Sequence, residues 1–346
     1  MTRPDLTVRG AGVFGLSIAY EAARRGARVR VIEGVSVGAG SSGGIVGALA
    51  PHVPENWNDK KAFQLESLLM SEGFWAGVLN TSGRDPGYAR TGRMQPLADA
   101  AAVDLARTRG FGAQALWQGR AEWCVVPATG ADWEPPSASG WLVTDTLTAR
   151  LHPRRACEAL AAAVMALGGE LVFGDAEQSG PVIWATGHPG LLELNKGLGR
   201  KVGSGVKGQA LLLAFDARDL PQLFVDGLHI VPHADGTLAI GSTSETEWTN
   251  AESVDTLGDA LHERAVAAMP VLSGAARVGA WAGIRPRSRS RAPMLGAWPG
   301  RAGEFIANGG FKIGFGMAPK VASVMVDLVM EGRDTVPEGF RVEASW

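Results

Sequence analysis

The sequence predicts an α/β chain in two parts: a Rossmann-like domain with a central parallel sheet and helices, and a second domain with a mainly antiparallel sheet and helices. Three observations carry this. Residues 6–15 run from an apolar strand through a glycine turn into a helix, and a second strand follows at 28–32. Residues 152–187 return to the same order, with a helix opened by Pro153 and closed by Gly168-Gly169, then strands at 170–173 and 181–186. From Val206 the texture changes to short apolar runs at 208–215, 228–232 and 237–241, separated by turns such as Ala234-Asp235-Gly236.

The first turn has the pattern G-x-G-x-x-G: Gly10, Gly12 and Gly15, with Val13 and Phe14 opening the helix. The three glycines serve in turn a tight bend, close approach of the backbone to a pyrophosphate, and close packing of helix on strand. The helix N-terminus offers free N–H groups and a positive dipole end to phosphate. Glu33 ends the second strand 18 residues past Gly15, where a carboxylate accepts from a ribose hydroxyl. Strand, turn, helix and acid together predict a dinucleotide site, and the pattern alone leaves NAD and FAD both open. The glycine-rich stretch 34–52 that follows suits neither an ordinary helix nor a strand. Its small residues permit close approach to a flat or charged ligand, and Ser41 and Ser42 are candidate phosphate donors.

The chain has 346 residues, enough for about two domains. Its formal net charge of −2 gives no electrostatic case for nucleic acid or an anionic membrane. Cys124 and Cys157 form neither a CxxC nor a metal-ligand spacing, so a disulfide framework is not expected and a reducing compartment fits. No apolar run reaches the ~18 residues of a membrane span, and residues 1–5 lack a signal-peptide core. A cytoplasmic location is the expectation. Eleven tryptophans against two tyrosines leave two readings open, core filling or an aromatic-walled substrate pocket.

Between these landmarks, residues 60–80 have helical apolar spacing, 90–97 reads as a strand and 100–109 as a helix. A Trp- and Pro-rich stretch then runs to Trp141. Residues 255–268 read as a helix ending before Pro270. A strand at 304–308 enters a second glycine turn at 309–316, and a last helix runs to Gly332.

Four motifs in order resemble the family of FAD-dependent D-amino-acid oxidases, glycine oxidases and sarcosine oxidases: GAGVFG with Glu33, VIWATG, WAGIRPRSRSRAPMLG and GGFKIGFGMAP. They span almost the whole chain. The resemblance implies an FAD-binding domain from residues 1–86, 145–205 and 283–346, and a substrate domain from 87–144 and 206–282. It places Gly10, Gly12 and Gly15 at the pyrophosphate, Glu33 at the adenosine ribose, and Ser41 and Ser42 near the phosphates. Gly47, Ala48 and Leu49 match the loop along the flavin ring, and Thr186 and Gly187 the turn beneath the FAD. Gly310, Phe311, Lys312, Ile313 and Gly314 lead into the last helix, whose N-terminal amides would stabilise the charge formed on flavin reduction. Arg285 matches the arginine that clamps a substrate carboxylate, a role suited to a guanidinium fork. Lys312 matches a carboxylate-holding lysine of sarcosine oxidases; glycine oxidases carry arginine there. His52, His229 and His233 are histidine candidates for the active site, with His52 closest in sequence to the flavin loop. The ladder Arg285, Arg287, Arg289 and Arg291 leaves an acidic substrate or a solvated loop open.

There are three departures from the family pattern. The chain between Phe173 and Val182 is short where relatives carry extra strands and contact adenine. Arg9 stands where an apolar residue is usual. No cysteine near 283–286 matches the covalent-flavin cysteine of sarcosine oxidases, so noncovalent FAD is expected.

The expected activity is oxidation of a small amino acid or N-substituted amino acid. Hydride passes from Cα to flavin N5, and the resulting imine hydrolyses. Oxygen or an electron carrier is the acceptor; homo-oligomerisation stays open. The alternatives are oxidation of a 2-hydroxy acid or of a carboxymethylamino group on a tRNA base. A different class is an NAD-binding module or noncatalytic nucleotide sensor.

Overall fold

A computed structural model of the chain describes residues 3–346. In chain order it begins β1 (Leu6–Arg9), α1 (Val13–Arg24), β2 (Val29–Glu33), β3 (Ala48–Leu49), α2 (Asp59–Ser82), β4 (Arg93–Pro96), α3 (Ala100–Trp117), β5 (Trp123–Pro127), β6 (Trp141–Asp145), β7 (Ala149–Arg150), α4 (Pro153–Ala166), β8 (Glu170–Phe173) and β9 (Val182–Trp184). It continues α5 (Gly187–Leu198), β10 (Gly203–Ala214), β11 (Gln222–Val225), β12 (Leu228–Pro232), β13 (Thr237–Gly241), α6 (Thr256–Ala268), β14 (Ala276–Ser288), β15 (Met294–Ala297), β16 (Glu304–Asn308) and α7 (Gly314–Glu331).

One sheet has the order β15-β16-β9-β1-β2-β8 and is parallel except for its β15 edge. Its parallel strands are connected through helices except β8 and β9, which only the short stretch 174–181 joins. Helix α1 is buried along nearly its whole length against α4 and α7. Its first turn can lie this close because a Cβ on Gly15 would overlap the Gly10 carbonyl oxygen.

The second sheet has the order β14-β10-β13-β12-β11-β4-β6-β5 and is antiparallel except at β11–β4. Strands from both of the expected substrate segments join in it. The expected divisions at 205/206 and 282/283 fall inside β10 and β14, which pair along most of their length. Arg285 is therefore a residue of this sheet, opposite Val206. Among the described residues no helix is long and apolar enough to cross a membrane.

Two local expectations change. Helix α3 continues past Arg109 to Trp117, through two glycines. Burial outweighs their low helix propensity, since Ala113 and Trp117 are in the core and Trp117 meets Trp123 at 6.3 Å between ring centroids. The 34–52 stretch contains a short 3-10 turn at Ser41–Gly43 and the strand β3, paired with β7.

The short crossover between β8 and β9 also gives Arg9 its surroundings. The Arg9 guanidinium carbon lies 5.0 Å from the Trp184 ring centroid, and Nη1 lies 3.7 Å from Asp175. A cation on an aromatic face thus stands where an apolar side chain would otherwise pack.

Candidate cofactor and substrate site

The sequence-predicted positions gather at the carboxyl ends of the parallel strands, the usual crevice for a ligand in such a sheet. Gly10 follows β1, Glu33 ends β2, Thr186 and Gly187 follow β9, and Gly310 follows β16. Gly10 has φ +105°, and a Cβ there would stand 2.5 Å from the Ala185 carbonyl oxygen, so the first turn rests directly on the end of β9. Glu33 accepts from the N–H of Ala11 at 2.7 Å and of Val35 at 2.9 Å. Each carboxylate oxygen keeps a further lone pair for a hydroxyl.

Ser42 differs in part from its expected role. Its Oγ accepts from the Val13 N–H at 3.0 Å and so serves the α1 N-terminus, where Gly12 has no side chain to do so. Its own hydrogen remains available for donation to a phosphate. Ser41 lies beside it in the 3-10 turn. Gly47 has φ +66°, and a Cβ there would overlap the Leu151 carbonyl oxygen. This close approach lets Ala48 and Leu49 pair with Arg150 and Ala149.

The glycine turn before α7 packs on the first turn of α1. A Cβ on Gly310 would lie 2.9 Å from Phe14 Cζ, and one on Gly314 would lie 3.6 Å from Val13 Cγ1. The Phe311 N–H donates to the Pro286 carbonyl at 3.0 Å, which ties this turn to β14 immediately after Arg285. Ile313 precedes the α7 helix as its N-cap residue. The Thr186 hydroxyl is buried without a partner among the described residues, beside Gly187, whose carbonyl accepts from Asn308 Nδ2 at 2.8 Å. A glycine cradle, a terminal carboxylate with free lone pairs and an orphan buried hydroxyl fit a dinucleotide.

Arg285 is 7% exposed and meets no carboxylate within ion-pair distance among the described residues. Its side chain leaves β14, crosses β10 over Gly208 and donates from Nη1 to the Thr243 carbonyl at 3.2 Å on the far side. A Cβ on Gly208 would fall inside the guanidinium. The Trp281 ring lies 5.6 Å from its central carbon. Burial pushes the guanidinium down to about 10, against the pull of the Glu245 charge, so it remains cationic at neutral pH. Lys312 is exposed and has no ion pair among the described residues; desolvation, then the Arg285 charge, lowers its ammonium. Of the rest of the arginine ladder, Arg287 stacks over Phe311 at 5.7 Å, and Arg289 and Arg291 are exposed.

The histidines separate. His52 Nδ1 and its backbone N–H both reach Gln64 Oε1, at 2.5 and 2.8 Å. Gln64 Nε2 donates to the Ala50 carbonyl at 3.2 Å, which orients the amide with its oxygen toward His52. Nδ1 is therefore the donor, and Nε2 carries the lone pair. Burial lowers the imidazole, which keeps it neutral. His229 packs on Phe224 at 4.6 Å; burial, then Arg93 and Lys312, push it down to about 3. His233 is 1% exposed and packs on His152 at 4.7 Å, with burial pushing it down to about 4.

Gly208, Trp281, Thr243 and Glu245 were not legible as site residues. The signal in the sequence was the glycine pair 208 and 283 inside two apolar strands, which marks a close approach.

Known proteins share this fold and sequence pattern. A glycine oxidase of Geobacillus kaustophilus is 28% identical over 371 aligned positions, covering 94% of this chain and 93% of the relative. The crystal structure of glycine oxidase from that organism superposes with a TM-score of 0.83 at 22% identity, over 99% of each chain. The iminodiacetate oxidase of Chelativorans sp. BNC1 superposes with a TM-score of 0.83 at 18% identity, over 97% of this chain and 98% of that one. The profile of the FAD dependent oxidoreductase family matches residues 5–328. The chain belongs to this DAO family and is an FAD-dependent oxidoreductase.

Proposed function

We propose that this enzyme oxidises a small amino acid or N-substituted amino acid whose carboxylate binds Arg285. The observation that carries this reading is the buried, unpaired guanidinium beside the turn that opens α7. A buried cation without an anionic partner is costly, and a bound carboxylate would supply two charge-assisted hydrogen bonds to its free donors. The glycine oxidase and iminodiacetate oxidase likenesses support an amine next to a carboxylate as the substrate class.

Bound FAD supplies the two-electron acceptor for the substrate's Cα–H bond. In this reading Gly10, Gly12, Gly15, Glu33, Ser42 and Thr186 hold its dinucleotide part, and residues 47–49 and 310–314 flank the flavin. Arg285 orients the carboxylate, and Lys312 adds positive charge at the same end of the site. The neutral His52, its tautomer set by Gln64, offers Nε2 as a proton acceptor. The FAD-binding part comprises residues 1–86, 145–205 and 283–346 and the substrate part 87–144 and 206–282, with β10 and β14 crossing between them. The FAD is held without a covalent bond, and oxygen or an electron carrier takes the electrons onward.

The test is anaerobic bleaching of the flavin across glycine, sarcosine, iminodiacetate, proline, D-amino acids and 2-hydroxy acids. An amine that bleaches the flavin, with Arg285→Ala raising KM about a hundredfold as two charge-assisted bonds are lost, is the expected result. Bleaching by 2-hydroxy acids alone, or an unchanged KM, overturns the reading. Comparing turnover with and without oxygen identifies the acceptor.

A further inference from the structure

The Thr243 carbonyl that receives Arg285 is itself held by a polar network on the other face of the sheet. Segment 242–245 follows β13 and runs beside β10. The Thr243 N–H donates to the Gln209 carbonyl at 3.2 Å, and its hydroxyl accepts from the Gln209 N–H at 2.8 Å. That hydroxyl in turn donates to the Glu245 carboxylate. Glu245 exchanges backbone hydrogen bonds with Lys207 at 2.9 and 3.0 Å, so Thr243 is pinned on both sides.

Lys207 and Gln209 flank Gly208, and alternation along β10 points them away from Arg285. Lys207 is 1% exposed. Its ammonium lies 2.9 Å from Asp255 and 3.6 Å from Glu245. Gln209 gives Nε2 to Glu245 at 3.0 Å and to Asp255 at 2.7 Å, while its Oε1 accepts from the Asp255 N–H at 2.8 Å. Every polar atom of the Gln209 side chain is used.

Glu245 is the carboxylate whose charge Arg285 feels, yet its oxygens are committed to Thr243, Gln209 and Lys207. Lys207 and Gln209 are buried while Asp255 is exposed; a satisfied network is rigid, and one that loses a charge leaves its partner seeking another.

We propose that Lys207, Glu245 and Thr243 are positioning residues for Arg285: they fix the carbonyl that orients the guanidinium, and they hold Glu245 off it so that its remaining donors stay free for a substrate carboxylate. This rests on Arg285 as the carboxylate clamp. Lys207→Met removes the cation beside Glu245, whose charge then bears more strongly on Arg285 and opposes a bound anion. Thr243→Val, of nearly the same shape, removes the hydroxyl that links the carbonyl to the network.

The test uses the FAD-loaded full chain and acetate as the probe, with Kd read from the perturbation of the flavin spectrum and thermal unfolding measured alongside. Lys207→Met and Thr243→Val are each expected to weaken acetate about tenfold or more, the effect of one lost hydrogen bond to a charged group. Thr243→Ser, which keeps the hydroxyl, is expected to recover the affinity. Should Lys207→Met not retain FAD, the Thr243 pair decides. A purely structural network would lower the unfolding midpoint and leave acetate Kd in the loaded fraction at the wild-type value, which overturns the proposal. If wild type binds no acetate, or Arg285→Lys binds it equally well, the clamp itself fails and this proposal with it. Loss in Arg285→Lys with wild-type affinity in Thr243→Val overturns the positioning alone.

Discussion

The Arg285 guanidinium occupies the space above Gly208 that any side chain would fill. The two residues lie on neighbouring strands, and the absent Cβ is what lets the arginine cross β10 to reach Thr243. Gly208→Ala must displace the guanidinium, whereas the strand itself accepts alanine readily. Substrate affinity is expected to fall about tenfold or more, the loss of one hydrogen bond to a charged group. FAD content, from the ratio of protein to flavin absorbance, is expected to stay at the wild-type level.

Gly10 carries a different prediction. Alanine there combines a left-handed φ with a Cβ placed 2.5 Å from the Ala185 carbonyl. Backbone strain of about 1–3 kcal/mol would reach the bound state and weaken FAD roughly ten- to a hundredfold. Fluorescence titration of the apoprotein with FAD measures this. In wild type, acid precipitation is expected to leave all the flavin in the supernatant, as noncovalent binding requires.

With His52 as the proposed proton acceptor, turnover is expected to follow its protonation. Its imidazole is lowered by burial, so it becomes protonated only at pH values below the ordinary histidine range. As the acceptor at Nε2 it must be neutral, and kcat is expected to fall on an acid limb below pH 6.5. His52→Ala removes that limb from the kcat–pH profile. Gln64→Leu takes away the bond that raises the imidazole and sets its tautomer. The limb then moves to lower pH while the plateau drops about tenfold or more.

His233, with His229, contributes to the pH dependence of stability. In the folded chain burial pushes the His233 imidazole down to about 4, from an ordinary value of 6.5. Between these values the unfolded chain binds more protons than the folded one, so stability falls as pH drops through that window. The full contribution is about 3 kcal/mol at pH 4. Denaturant unfolding from pH 7 to 4 is expected to show this decline, and His233→Gln to reduce its slope.

Much of the candidate cofactor site was legible in the sequence because its parts are local. A strand, a glycine turn and a helix start are contiguous at residues 6–15, and Glu33 follows at a spacing set by one helix and one strand. The extent of α3 was not legible. Its glycines read as a stop, and only the burial of Ala113 and Trp117 keeps the helix going. Arg9 was visible as an oddity, but the Trp184 ring that accommodates it comes from a strand far along the chain.

By itself the sequence determined the α/β class, and it singled out the glycine turn at residues 10–15 and Arg285 as candidates. The tertiary structure decided how that cation is held. Gly208, Thr243, Glu245 and Lys207 reach Arg285 only through the pairing of β10 with β14 on one edge and with segment 242–245 on the other. No local pattern encodes this, because register between distant strands is set by which apolar faces are buried together.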